Sequence, residues 1–100
     1  MKQYVLMHIG FEQPTPEIME QWNAWFQSIV DQTVENIGFN GGFEISKDNE
    51  KELGWDGESI TGYSIIEAEN MEAAKRIAQA NPFVSSIRVY EVRSHQEASS

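Results

Sequence analysis

ITGYSIIEAENMEAAKRIAQANPFVSSIRVYEV, residues 60–92, decides the reading of this chain. Its opening, ITGYSIIEA (60–68), is rich in β-branched and aromatic residues and predicts a strand. Asn70 is a good N-cap. Met71, Ala74, Ile77 and Ala78 then recur on one side of residues 71–80, which predicts a short amphipathic helix. That helix stops at Asn81-Pro82, because proline lacks a backbone N–H and pushes the preceding residue out of helical geometry. SIRVYEVR (86–93) is a further strand, with Ile87, Val89 and Glu91 on one face and Arg88, Tyr90 and Val92 on the other.

The N-terminal half repeats this order. QYVLMHI (3–9) predicts a strand with Tyr4, Leu6 and His8 facing one way and Val5, Met7 and Ile9 the other. Thr15 and Pro16 form a cap and first turn. From Ile18 to Ile37, apolar residues return every three or four positions, including Trp22, Trp25, Phe26, Ile29, Val30 and Val34. This spacing predicts a helix of about six turns ending at Gly38. FNGGFEIS (39–46) is expected to be the second strand, with Gly41-Gly42 at a bulge or close backbone approach. Residues 47–59 are expected to be a polar connection.

The predicted order is βαββαβ. Right-handed crossovers make this an α+β, ferredoxin-like fold, with both helices on one face of a four-stranded antiparallel sheet. Two helices cover only one sheet face, yet the strands are apolar on both. A sheet-to-sheet homodimer, burying on the order of 1,500 Å² or more, is therefore expected. Residues 1–93 are read as one domain and 94–100 as a C-terminal tail.

Composition narrows the function. The chain has 100 residues, 16 acidic against 7 basic side chains and a formal net charge of −9. The basic residues are scattered, so nucleic acid is not an expected partner. No apolar run is long enough for a membrane span, and the N-terminus does not resemble a signal peptide. Cysteine is absent, which excludes thiol chemistry and makes the cytoplasm the default location. DNEKELGWDGES (48–59) imitates a calcium loop at its first, third and fifth positions. It fails at Leu53, where glycine is needed, and at Ser59, where a bidentate glutamate is needed. No zinc spacing, phosphate-binding glycine loop or serine-centred triad is visible, so neither metal nor cofactor is expected.

TGYSIIEAENMEAAKRIAQANPFV (61–84) resembles the YCII-related family of the dimeric α+β barrel superfamily. That family shows a G-x-(S/T/Y) strand start, then E-N-hydrophobic-x-A-A-K, then A-Q-x-(D/N)-P-(Y/F)-V. WDGES (55–59) is similar to the family's D-G-P-F stretch, with Glu58-Ser59 in place of Pro-Phe. The resemblance implies a homodimer with a cleft near the sheet and first helix. In some members it also implies a histidine near that helix paired with the aspartate of the D-P-(Y/F) turn, in cofactor-free enzymes acting on small ring-cleavage acids. Here position 81 is Asn and the first helix holds no histidine, so that acid–base pair does not carry over.

The remaining candidates are side chains that could line a cleft. His8 is the only histidine outside the tail, and either lines a dimer cavity or is a hydrogen-bonded residue of the sheet. Trp22, Trp25 and Phe26 either shape an aromatic pocket or fill the core. Arg88, beside Tyr90, could hold a carboxylate or make an intersubunit ion pair. Tyr63 could supply polarity. Asn81 is expected to cap the last helical turn through its amide, and is also counted among the ligand-binding candidates. The leading reading is a homodimer that binds a small organic acid or polar-aromatic ligand. The alternatives are a cofactor-free lyase or isomerase using His8, and a structural or protein-interaction module.

Overall fold

A computed structural model describes residues 1–93, and the tail read at 94–100 lies outside them. The first strand, β1 (Lys2–Ile9), shows the expected alternation: Tyr4, Leu6 and His8 are buried, while Val5, Met7 and Ile9 are half-exposed. The helix α1 (Pro16–Ser28) follows. Its start is held by the Thr15 hydroxyl, which accepts from the Ile18 N–H at 3.2 Å.

Here the structure departs from the sequence reading. α1 ends at Ser28, and residues Thr33–Gly38 form a strand, β2. Val34 and Ile37, read as helical, belong to this strand. Their three-residue spacing fits a helix, but Ile29, Val30, Thr33, Val34 and Ile37 are all β-branched and lose side-chain freedom in one. The exit is closed by hydroxyls: Ser28 donates to the Trp25 carbonyl at 2.7 Å and Thr33 to the Ile29 carbonyl at 2.8 Å. These bonds satisfy helix-end acceptors that a glycine cap would otherwise have served.

The segment expected as strand two is also reassigned. Residues Gly42–Ile45 (β3) and Glu50–Leu53 (β4) pair with each other as a separate antiparallel hairpin. The Ser46 N–H donates to the Asn49 carbonyl at 2.7 Å to close the turn. The stretch 47–59, read as an irregular connection, thus contains a strand. Gly41-Gly42 is not a bulge. The irregular pairings lie between Thr33 and Glu35 and between His8 and Ile9.

The rest follows the reading closely. β5 (Ile60–Ala68), α2 (Met71–Gln79) and β6 (Ser86–Glu91) occupy the predicted segments. Asn70 caps α2 by accepting from the Ala73 N–H at 2.9 Å. The main sheet has the order β2-β5-β1-β6, with antiparallel neighbours. This is the ferredoxin-like arrangement, with both helices on one sheet face.

The core lies between the sheet and the helices. Tyr4, Leu6, Ile66 and Ala68 meet Trp25 and Ile29 of the α1 end and Ala74 and Ala78 of α2. The two alanines, four apart, let α2 lie close on the sheet. The Trp25 indole N–H donates to the Ile77 carbonyl at 3.0 Å and ties the helices together. The opposite face carries Val5 and Met7 of β1, Tyr63 and Ile65 of β5, and Arg88 and Tyr90 of β6, and among the described residues no helix lies over it.

At Gly62, β5 lies tight against β2. This glycine stands opposite both Gly38 and His8, and an added Cβ would fall on the Ile37 carbonyl oxygen. Gly62→Ala should therefore displace β2 and cost about 2 kcal/mol or more. Gly38→Ala would meet nothing within 4 Å and should cost under about 1 kcal/mol. Urea unfolding of the two variants checks the contrast.

Candidate functional site

The end of β1 places His8 beneath α1, facing the helices. The inward side of the strand thus turns the imidazole away from the open sheet face on which a dimer cavity was expected. Its ring stands edge-on to two indoles, with centroids 5.1 Å from Trp22 and 5.8 Å from Trp25. These tryptophans are three residues apart on α1, so one helix face delivers both. On β5, Ser64 faces the same way. His8 Nε2 and Ser64 Oγ share a hydrogen bond at 3.0 Å, its donor set by the imidazole tautomer. His8 Nδ1 is buried and has no partner among the described residues.

Burial opposes the charged form, so the His8 pKa is pushed from 6.5 down to about 4. At neutral pH the ring is uncharged. It can accept one hydrogen bond and donate one, and Ser64 engages only one of its nitrogens.

A cavity of about 290 Å³ opens beside this imidazole. Trp22 and Phe26 form its helix wall, Ser64 and Asn36 contribute polar edges, and Gly38 and Gly62 line its sheet side. The two glycines present backbone where side chains would otherwise intrude. Phe26, expected with the two tryptophans to shape a pocket or fill the core, does line it, whereas Ser64 and Asn36 were not singled out from the sequence. Ser64 had a signal: it is the one hydroxyl among Gly62, Ile66 and Ala68 on the inward face of β5.

The other candidates are distributed differently. Trp25 is buried and spends its N–H on Ile77. Tyr63 borders the cavity, but its position opposite Met7 puts the side chain on the open face, where its hydroxyl donates to Glu35 at 3.2 Å. Arg88 also pairs opposite Met7, across β1, and so lies on that open face. The sheet separates Arg88 from His8, and the two cannot grip one ligand from the same side.

Asn81 is 4% exposed, and neither its side-chain nitrogen nor its oxygen has a partner among the described residues. The expected amide cap is absent because its acceptors are taken. The Ile77 carbonyl receives both the Trp25 indole and the Ala80 N–H, and the Ala78 carbonyl receives the Asn81 backbone N–H. In the 55–59 stretch, Asp56 and Ser59 bond each other and the local backbone. Among the described residues, no three His, Asp or Glu side chains gather as a metal site, and no helix is long and apolar enough to cross a membrane.

This architecture is shared with a dehydrochlorinase. The solved structure is 5-chloro-2-hydroxyhydroquinone dehydrochlorinase (TftG) from Burkholderia phenoliruptrix AC1100, in complex with 2,5-dihydroxybenzoquinone. The TM-score is 0.52 at 10% identity, covering 95% of this chain and 97% of that one. At this identity the likeness to TftG establishes the fold. No protein-family model matches the sequence, and no curated protein matches it.

Two outcomes follow from the buried polar groups. Between pH 6.5 and about 4, the unfolded chain protonates at His8 and the folded chain does not. Stability therefore falls as pH drops through this window and levels off below it, with about 3 kcal/mol at stake for this group. Urea midpoints measured from pH 7 to 4 should fall less steeply in His8→Phe. Asn81→Asp would bury a carboxylate with no donor and should cost about 2 kcal/mol or more at pH 7. Asn81→Leu should stay within about 1 kcal/mol, since no protein hydrogen bond is lost. Thermal melts of both variants check this.

Proposed function

We propose that this chain is a cytoplasmic homodimer of the dimeric α+β barrel superfamily, allied to the YCII-related family, and that it binds a small, flat, uncharged polar-aromatic molecule beside His8. The observation that carries this reading is the neutral imidazole, buried with Nδ1 unpartnered at the wall of an aromatic cavity. An unsatisfied buried polar group of this kind calls for a partner. The cavity, about 290 Å³, is at the lower end of ligand-site sizes and suits a single ring. The ligand named for TftG, a dihydroxylated benzoquinone, is a molecule of this shape and chemistry.

The charge pattern favours a neutral ring over an organic acid. No lysine or arginine lines the cavity, and Arg88 lies on the opposite face. A carboxylate there would be desolvated without a counter-charge. The same environment favours binding over general-base catalysis, because a base with a pKa of about 4 takes up few protons near neutrality. The homodimer rests on the open sheet face, where Val5, Met7, Ile65 and Tyr90 form an apolar centre with nothing from the chain's helices above it.

The binding reading is tested by titrating imidazole nitrogen NMR signals with hydroquinone and benzoate. Hydroquinone should shift the His8 resonances, and Trp22→Ala should weaken its binding at least tenfold. Tighter binding of benzoate, or no response to hydroquinone, would overturn the proposed ligand class. The assembly is tested by sedimentation equilibrium at micromolar concentration, where a species of twice the chain mass is expected.

A further inference from the structure

Among the described residues, the β3–β4 hairpin packs against no other helix or strand. A lone two-stranded hairpin is marginal in water. This one also displays its apolar side chains. The register pairs Phe43 with Glu52 and Ile45 with Glu50, which puts all four on one face. Phe43 is 66% and Ile45 77% exposed. The other face, bearing Gly42 and Leu53, lines a large cavity that Met7 and Ile60 border from the main sheet. The hairpin therefore begins where the open sheet face ends, and continues its apolar surface.

We infer that the β3–β4 hairpin is an arm that clasps a second copy of this chain, with Phe43 and Ile45 against that copy's open sheet face and Glu50 and Glu52 beside Arg88 of the partner subunit. The inference rests on the homodimer proposed above. Three observations select a second copy as the occupant. The first is area. Four strands about 4.8 Å apart, averaging about seven residues at about 3.3 Å each, present a face of roughly 440 Å². A stable interface needs about 800 Å² per partner, so the sheet alone falls short and the arm enlarges the contact.

The second observation is placement. The arm leaves from the β2 edge of the sheet, and Arg88 lies on β6 at the other edge. A two-fold axis parallel to the strands, relating two stacked open faces, sets one copy's β2 edge over the other's β6 edge. The arm and Arg88 of the partner subunit are then opposite each other, twice. The third is charge. Among the described residues, the ion pairs are Lys2–Glu91 and Lys75–Glu72, and Arg88, Glu50 and Glu52 take part in neither. Their pairing across the two-fold gives each an opposite charge.

Sedimentation equilibrium of the full chain tests this with three variants. Phe43→Ser combined with Ile45→Ser should raise the dimer dissociation constant at least tenfold. Its far-ultraviolet circular dichroism should stay unchanged, because both side chains are exposed. Arg88→Glu should also weaken the dimer, and adding Glu50→Arg and Glu52→Arg to it should restore association. A second measurement is independent of stability. The chain has no cysteine, so Ile45→Cys mixed with Tyr90→Cys should give a covalent heterodimer with a short bismaleimide. If the wild type dimerises but the arm variants associate equally well and the cysteines do not cross-link, the arm is not in the interface. The homodimer reading then stands without it. A monomeric wild type would overturn both. Arm variants that dimerise normally but lose binding to anionic vesicles would overturn the second copy as occupant.

Discussion

Everything in this molecule is arranged around the pleat of β1. This strand is hydrogen-bonded on both sides, to β5 and to β6, so its register fixes which face each neighbour presents. Tyr4, Leu6 and His8 go to the helices, while Val5 and Met7 go to the open side. A slip of one residue would bury Val5 and Met7 under Trp25 and expel His8 from the core. The cavity, the apolar open face and the separation of His8 from Arg88 all follow from that single alternation.

The outer elements hold this register in different ways. α2 contributes small residues, Ala74 and Ala78, and so comes close to the sheet. α1 contributes bulk, and its Trp25 fills the space and bonds across to α2. Gly10 turns the chain after β1 with a φ of +109°, a conformation side chains resist, and leaves room for Ser85. The Ser85 N–H bonds the Ile9 carbonyl at 3.2 Å, so the start of β6 is anchored where β1 ends.

The parts of this fold that could be read from the sequence are those where one local signal had one meaning. Thr15-Pro16, Asn70 and Asn81-Pro82 mark helix ends through backbone chemistry, and all three boundaries appear where expected. Residues 29–37 were ambiguous because apolar spacing of three to four also fits a β-branched strand preceded by a short turn. Nothing local distinguishes the two, since pairing with β5 decides it. The hairpin was hidden for a related reason: GFEI and EKEL are each only four residues long and support each other. The site was less legible. His8 stood out as a titratable residue in an apolar strand, but its contact with Ser64 links positions 56 apart. The unpartnered state of Asn81 depends on which carbonyls Trp25 and the backbone have already claimed.

The position of His8 against two indoles has a practical side. Trp22 and Trp25 are within aromatic contact of the imidazole, whereas Trp55 stands apart beside Phe11. A protonated imidazole quenches indole emission far more than a neutral one, and a ring lodged in the cavity would change the polarity around Trp22. Two of the three tryptophans therefore report on the charge and occupancy of one side chain, and the third serves as a remote reference. The molecule carries its own fluorescent probe beside its buried imidazole.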